Sequence, residues 1–273
     1  MYEQYTFRME KTRSNDIVIH YAGNYGARGE KRAKKRQATP EQIQKQNQWK
    51  KETYVHRLIR ANFDTEDYLF TLKWEKGARP SVEEVGKEWR RFAAAMRREY
   101  KKHDLPFKWI HRIEIGKRGG RHIHVIINQI PGENMARLVS RKWMPGSINC
   151  TPMYEQGNFK DLAEYMTKPP PEEIKGQLSM FETEEQKAFR KYSASRNLSK
   201  PAAEKKTYTR RTVRKIIEEG PKPTPGFYID KNSIVIGVNQ FTGYSYIRYT
   251  EYAVRRDMRG QPVHSGQLKG DAT

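Results

Sequence analysis

His122-Ile123-His124 places two imidazoles two residues apart in an apolar stretch, and Tyr165-Met166-Thr167-Lys168 follows later in the chain. Alternation along a strand puts His122, His124 and Ile126 on one face and Ile123, Val125 and Ile127 on the other. Lys108–Gly116 reads as a preceding strand, joined by a short turn containing Gly119-Gly120 to a strand over Arg121–Gln129. On it, Glu114 shares a face with Ile110 and Arg112. With the turn centred near Arg118, Glu114 falls opposite His122, and directly opposed Cβ atoms lie roughly 5 Å apart. Two imidazoles and a carboxylate then converge, which suits Mn²⁺ or Mg²⁺ assisting a phosphate reaction. By itself a His-x-His pair on a strand more often marks two half-buried structural histidines, and Arg112 beside Glu114 also fits a surface ion pair. Two histidines and a carboxylate equally describe a non-haem iron oxygenase triad, although that alternative leaves the charge of the chain unexplained.

Asp161, Tyr165 and Lys168 stand at helical spacing of i, i+4 and i+7 in Phe159–Lys168 and so share one helix face. A phenol with a pKa of about 10 is a poor nucleophile unless a cation polarises the group it attacks. Lys168 can bring positive charge to a phosphate or a proton to a leaving oxygen. Asp161 can hydrogen-bond Lys168 or a metal-bound water. Alone, Tyr-x-x-Lys is a weak pattern. Its weight comes from order: Glu, His-x-His on strands, then Asp, Tyr, Lys on a helix.

The elements that must hold these groups are legible around them. Tyr68–Trp74 reads as a strand. Ser81-Val-Glu-Glu84 is a capping box, and Val82, Val85, Trp89, Phe92, Met96 and Tyr100 recur at helical spacing, predicting an amphipathic helix over 82–103 whose aromatics are core. Gly132–Lys142 reads as a helix and Ser147–Tyr154 as a strand containing Cys150 as a small packing residue. A helix capped by Asn158 stops at Pro169-Pro170-Pro171. The predicted fold class is α+β: a central antiparallel sheet, ferredoxin-like or RRM-like, with helices on one face. Outside this core (65–171) the expectations are a basic flexible arm over 1–38 with the run Arg28–Arg36, and a basic helix over 39–64 opened by the capping box Thr39-Pro40-Glu41-Gln42. An accessory helical region and terminal hairpin should occupy 172–255, the hairpin over 234–238 and 244–249, and a disordered tail 256–273.

Composition narrows the partner. Lysine and arginine number 53 against 32 acids, giving a net charge of +21 over 273 residues, an excess that favours a polyanion through counterion release. Mean hydropathy is −1.00. No apolar run reaches membrane-span length, no signal peptide is visible, and a membrane partner is not expected. One cysteine excludes an internal disulfide and fits a reducing cytoplasm. No GxxxxGK[ST] motif occurs, so no ATP-driven helicase motor is recognisable. Basic residues with interleaved aromatics suit single strands: Lys117, Arg118 and Arg121 flank the metal strands, and Arg190, Lys191, Tyr192 and Arg196 form a second cluster.

Together these motifs resemble the HUH endonucleases, in the branch of single-tyrosine rolling-circle replication initiators. Tyr68-Leu-Phe-Thr-Leu is similar to the family's structural first motif, Glu114 with His122-Ile-His124 to its metal motif, and Asp161–Lys168 to its nucleophile motif. The resemblance covers about 65–170. Thr39–Gln42, Ser195-Arg-Asn-Leu198 and Phe241-Thr-Gly-Tyr244 resemble initiator-like proteins of Firmicute bacteria and their phages, and so of plasmid or phage elements in a bacterial cytoplasm. The resemblance implies that Tyr165 attacks a DNA phosphate, giving a 5′-phosphotyrosine and a free 3′-OH without ATP. It implies as partners single-stranded DNA at an origin stem-loop and a host helicase and polymerase. A transposase or relaxase is the alternative within the family, and a non-catalytic RRM-like nucleic-acid-binding protein the alternative outside it.

Overall fold

The computed structural model describes residues 1–22, 38–116, 120–153, 158–168, 192–239, 241–256 and 262–263. Along the chain run β1 (Tyr2–Met9), β2 (Ser14–Tyr21), α1 (Pro40–Asn62), β3 (Tyr68–Lys73), α2 (Val82–Lys102), β4 (Trp109–Ile115), β5 (Arg121–Ile127), α3 (Met135–Lys142), β6 (Ile148–Pro152) and α4 (Lys160–Thr167). They are followed by β7 (Tyr192–Ala194), β8 (Ala203–Tyr208), α5 (Arg210–Glu219), β9 (Phe227–Ile229), β10 (Val235–Val238) and β11 (Ser245–Ala253). The chain divides into two units, Gln44–Lys200, and Met1–Ile43 with Pro201–Thr273. No helix among the described residues is long and apolar enough to cross a membrane.

The unit formed by 44–200 is built on the antiparallel sheet β6-β3-β5-β4-β7. Without β7, the strands in chain order lie 4-1-3-2, the ferredoxin-like order, because each helical crossover leaves room for one strand between the two it joins. The expected α+β class with a central antiparallel sheet is therefore what forms. Helix α2 starts where the sequence places it: the Ser81 side chain accepts from Glu84 N and the Glu84 carboxylate accepts from Ser81 N, a cap contributing about 1 kcal/mol. Its apolar stripe, Val85, Trp89, Phe92, Met96 and Tyr100, packs with α3 against Phe70, Leu72, Ile123, Val125 and Ile127.

The other face is not left bare as expected. Val55, Leu58, Ile59 and Phe63 of α1, with Leu162, Ala163 and Met166 of α4, bury Ile110 and Ile126. Helices thus cover both faces, in correction of the one-sided layout. The reason lies in the run Val125-Ile126-Ile127: strict alternation stops there, and a strand apolar on both sides must be covered on both.

Glu99 on α2 joins the helices of the first face, accepting from Lys142 at 2.6 Å and from Lys102 at 3.0 Å. These two ammonium groups hold its carboxyl down to about 2 from an ordinary 4.5. A lowered folded-state pKa means the stabilisation is full above the ordinary value and is lost as pH falls through the folded one. Glu99→Gln is therefore expected to lower the thermal midpoint at neutral pH. The gap from wild type should close as pH drops from 4.5 towards 2, measured by circular-dichroism melts across that range.

The second unit overturns two expectations. In place of a basic arm over 1–38, β1 and β2 form a hairpin, and Ala203–Tyr208, within a stretch read as helical, is a strand paired with β1. The sheet order is β10-β11-β2-β1-β8, with β9 on β11. Tyr2, Ile17, Ile19, Ile247 and Tyr249 alternate onto one face and close on Val213 of α5, which fixes the register. The terminal hairpin forms as β10 and β11, with β11 running on to Ala253 to pair with β2 and β9. The run Arg28–Arg36 and Pro169–Pro171 lie outside the described residues.

Candidate metal centre and its tyrosine

The β4–β5 ladder pairs Glu114 with His122 and Arg112 with His124, and the β3–β5 ladder pairs Thr71 with His124. Beyond Ile110 and Ile126 the face covered by α1 and α4 turns polar, and there the donors of Glu114, His122 and His124 lie within 4.8 Å of one another. The Glu114 Oε2 atom is 3.2 Å from His124 Nε2 and 3.7 Å from His122 Nε2. Helix α4 buries Leu162, Ala163 and Met166, and this anchoring brings Tyr165 over the sheet. Its hydroxyl lies 2.6 Å from Glu114 Oε2 and 2.6 Å from His124 Nε2, with the two rings perpendicular at 4.9 Å.

Electrostatics follow from this packing. Hydrogen bonds from His122 and His124, then from Tyr165, hold the Glu114 carboxyl far below the carboxylate range. Burial, then the hydrogen bond and charge of Glu114, push the Tyr165 phenol above its ordinary value. The phenol is thus protonated at neutral pH. Arg112 is buried, and its Nη1 donates to the Tyr165 carbonyl oxygen at 2.6 Å. Desolvation lowers its pKa while Glu114 and Tyr165 oppose the shift, so it ties the nucleophile's backbone to the strand that carries Glu114.

Two imidazole nitrogens and one carboxylate oxygen converging from one side make a donor set for a divalent ion with open positions. The His124 Nδ1 atom lies 3.2 Å from Thr71 Oγ1. With Nδ1 protonated and donating to Thr71, Nε2 keeps its lone pair toward the cluster, the usual arrangement of a ligating histidine. Thr71→Val removes that acceptor at nearly constant volume. Metal affinity is expected to fall by roughly 10- to 100-fold, measured by Mn²⁺ titration calorimetry; an unchanged affinity would contradict the orienting role.

The structure brings Glu114, His122, His124 and Tyr165 together and leaves the other nominated residues apart. Asp161 is exposed on α4 and neither hydrogen-bonds nor ion-pairs with the four. Lys168 does not continue the helix face expected for it. It is the exposed C-cap, with φ −48° and ψ 131°, because a residue before proline is driven out of the helical region. Tyr192 pairs with Arg112 across the β4–β7 ladder and is half-buried against the α1 and α4 core, with Lys51 Nζ 5.9 Å from its ring. Burial raises its phenol. Arg121 opens β5, half-buried, and Arg196 is exposed after β7. Lys117, Arg118, Arg190 and Lys191 lie outside the described residues. Two residues escaped the sequence reading. Thr71 gave no signal beyond strand parity. Arg112 was legible on the Glu114 face, but its reach to Tyr165 depends on α4, which sequence does not place.

Residues 67–170 match the replication-associated protein family typified by ORF2. Neither the curated proteins nor the solved structures give a match.

Proposed function

From the replication-associated match over 67–170 and the four residues gathered on its sheet, we propose that this chain initiates rolling-circle replication by nicking and rejoining single-stranded DNA. The observation that carries the reading is the Tyr165 hydroxyl, 2.6 Å from two of the three metal donors. When bound by Glu114, His122 and His124, Mn²⁺ or Mg²⁺ supplies Lewis-acid charge to a phosphate oxygen and orients the phosphate; the two imidazoles favour Mn²⁺ of the pair. The chain's own residues supply the rest. Tyr165 loses its phenolic proton and its oxygen bonds to phosphorus. The P–O3′ bond breaks and the 3′ oxygen takes up a proton. Arg112 holds the tyrosine backbone in place, and Lys168 at the exposed end of α4 meets the incoming phosphate. The 5′-phosphotyrosine conserves bond energy, so rejoining reverses the step without ATP. Polymerase extends the free 3′ end, and unwinding falls to a host helicase.

A transposase or relaxase could use the same four residues; the replication-associated match favours initiation. A non-catalytic RRM-like binding module requires none of the four. The test is incubation of the protein with short single-stranded oligonucleotides, among them stem-loops, and Mn²⁺. A protein–DNA adduct that survives a denaturing gel is expected. Intact oligonucleotides throughout would overturn the reading.

A further inference from the structure

The face of the sheet opposite Tyr165 carries an open groove of about 1140 Å³ between the end of α2, the loop before β4 and the segment around β7. Arg97, Arg98 and Lys101 line it from α2 and Arg196 from the turn after β7, against one acid, Asp104. All four cations are exposed, and none is in an ion pair among the described residues, whereas Lys102 and Lys142 nearby are both taken up by Glu99. Concentrated, unneutralised positive charge in a concave surface is what a phosphate backbone selects.

The rings in the groove argue against an unpaired strand. Phe107 is buried. Trp109 is already stacked on His111 at 4.9 Å and packed edge-on against Trp89 at 4.9 Å. Binding of single strands depends on exposed rings for the bases to stack on, and this groove offers cations without such platforms. Duplex DNA asks for phosphate contacts of this kind.

We propose that this groove is a second DNA site, which grips the phosphate backbone of duplex DNA while the opposite face works on a single strand. It rests on the nicking reading only in taking DNA as the polyanion. The expected geometry is an origin whose paired flank is held behind the sheet and whose unpaired segment crosses Tyr165.

The test compares the full chain with Arg97→Ala/Arg98→Ala/Arg196→Ala, both in a Tyr165→Phe background so that cleavage plays no part. Binding of a short duplex of arbitrary sequence is followed by fluorescence anisotropy across KCl concentrations. Three lost phosphate contacts should flatten the slope of log K against log salt by about 2 to 3, with an affinity loss on the order of 10²-fold at about 0.1 M salt. Affinity for a single-stranded oligonucleotide should be retained. Lys45→Ala/Lys76→Ala/Arg137→Ala removes the same charge elsewhere and should leave the duplex slope near that of the parent. An unchanged slope in the groove variant, an equal fall in the control variant, or an equal loss for single strand and duplex would each overturn the proposal. Absence of a covalent adduct with the wild-type protein would sink the nicking reading alone and leave the anisotropy result standing.

Discussion

Tyr165→Phe is expected to lower oligonucleotide cleavage by on the order of 10³-fold or more, the scale of losing a nucleophile, and to abolish the covalent adduct. The substitution removes one oxygen and little else. The phenylalanine ring keeps the perpendicular contact with His124 and the half-buried packing of α4. The hydrogen bond to Glu114 and His124 is lost, but both acceptors stay within reach of water, so folding stability should change by no more than about 1 kcal/mol. Mn²⁺ affinity should hold or rise, since the phenol no longer competes for two donors. Gel assays, thermal melts and calorimetry on the same preparation separate these outcomes. A pH dependence accompanies them. Because burial and Glu114 raise the phenol's pKa, wild-type cleavage should climb as pH rises through neutrality, and a flat profile would place proton loss from Tyr165 outside the rate-determining sequence.

His124→Ala should be equally damaging by a different route. His124 is the most connected member of the site: 3.2 Å from Glu114, 2.6 Å from the Tyr165 hydroxyl and 3.2 Å from Thr71. Loss of an orienting partner alone weakens metal sites roughly 10- to 100-fold, and loss of a ligand should exceed that. The expected result is Mn²⁺ binding too weak for calorimetry and cleavage reduced as severely as in Tyr165→Phe. His122→Ala should behave alike. Cleavage that persists in either variant at wild-type rate would remove the metal from the mechanism.

How far these residues could be read without the fold depends on the range of the rule involved. Glu114 opposite His122 follows from alternation and the span of one short hairpin, both local, and the ladder has that register. The start of α2 follows from four residues whose side chains close on one another. Long-range pairing is different. β8 has the sequence Ala-Glu-Lys-Lys-Thr-Tyr, almost wholly exposed, and joins β1 through its backbone, so no apolar pattern announces it. Arg112 looks like half of a surface ion pair until α4 lays the Tyr165 carbonyl beside it. Lys168 illustrates the reverse: helical spacing placed it with Tyr165, while the proline after it, also in the sequence, was the stronger signal.

The proposed mechanism stands or falls on a covalent bond between Tyr165 and DNA. Mass spectrometry of the trapped protein–oligonucleotide adduct, after nuclease and protease digestion, observes that bond itself. The expected product is a 5′-linked nucleotide on Tyr165, formed only with added divalent metal and absent from His124→Ala. A nucleotide found instead on another tyrosine, such as Tyr192 or Tyr154, would refute the mechanism.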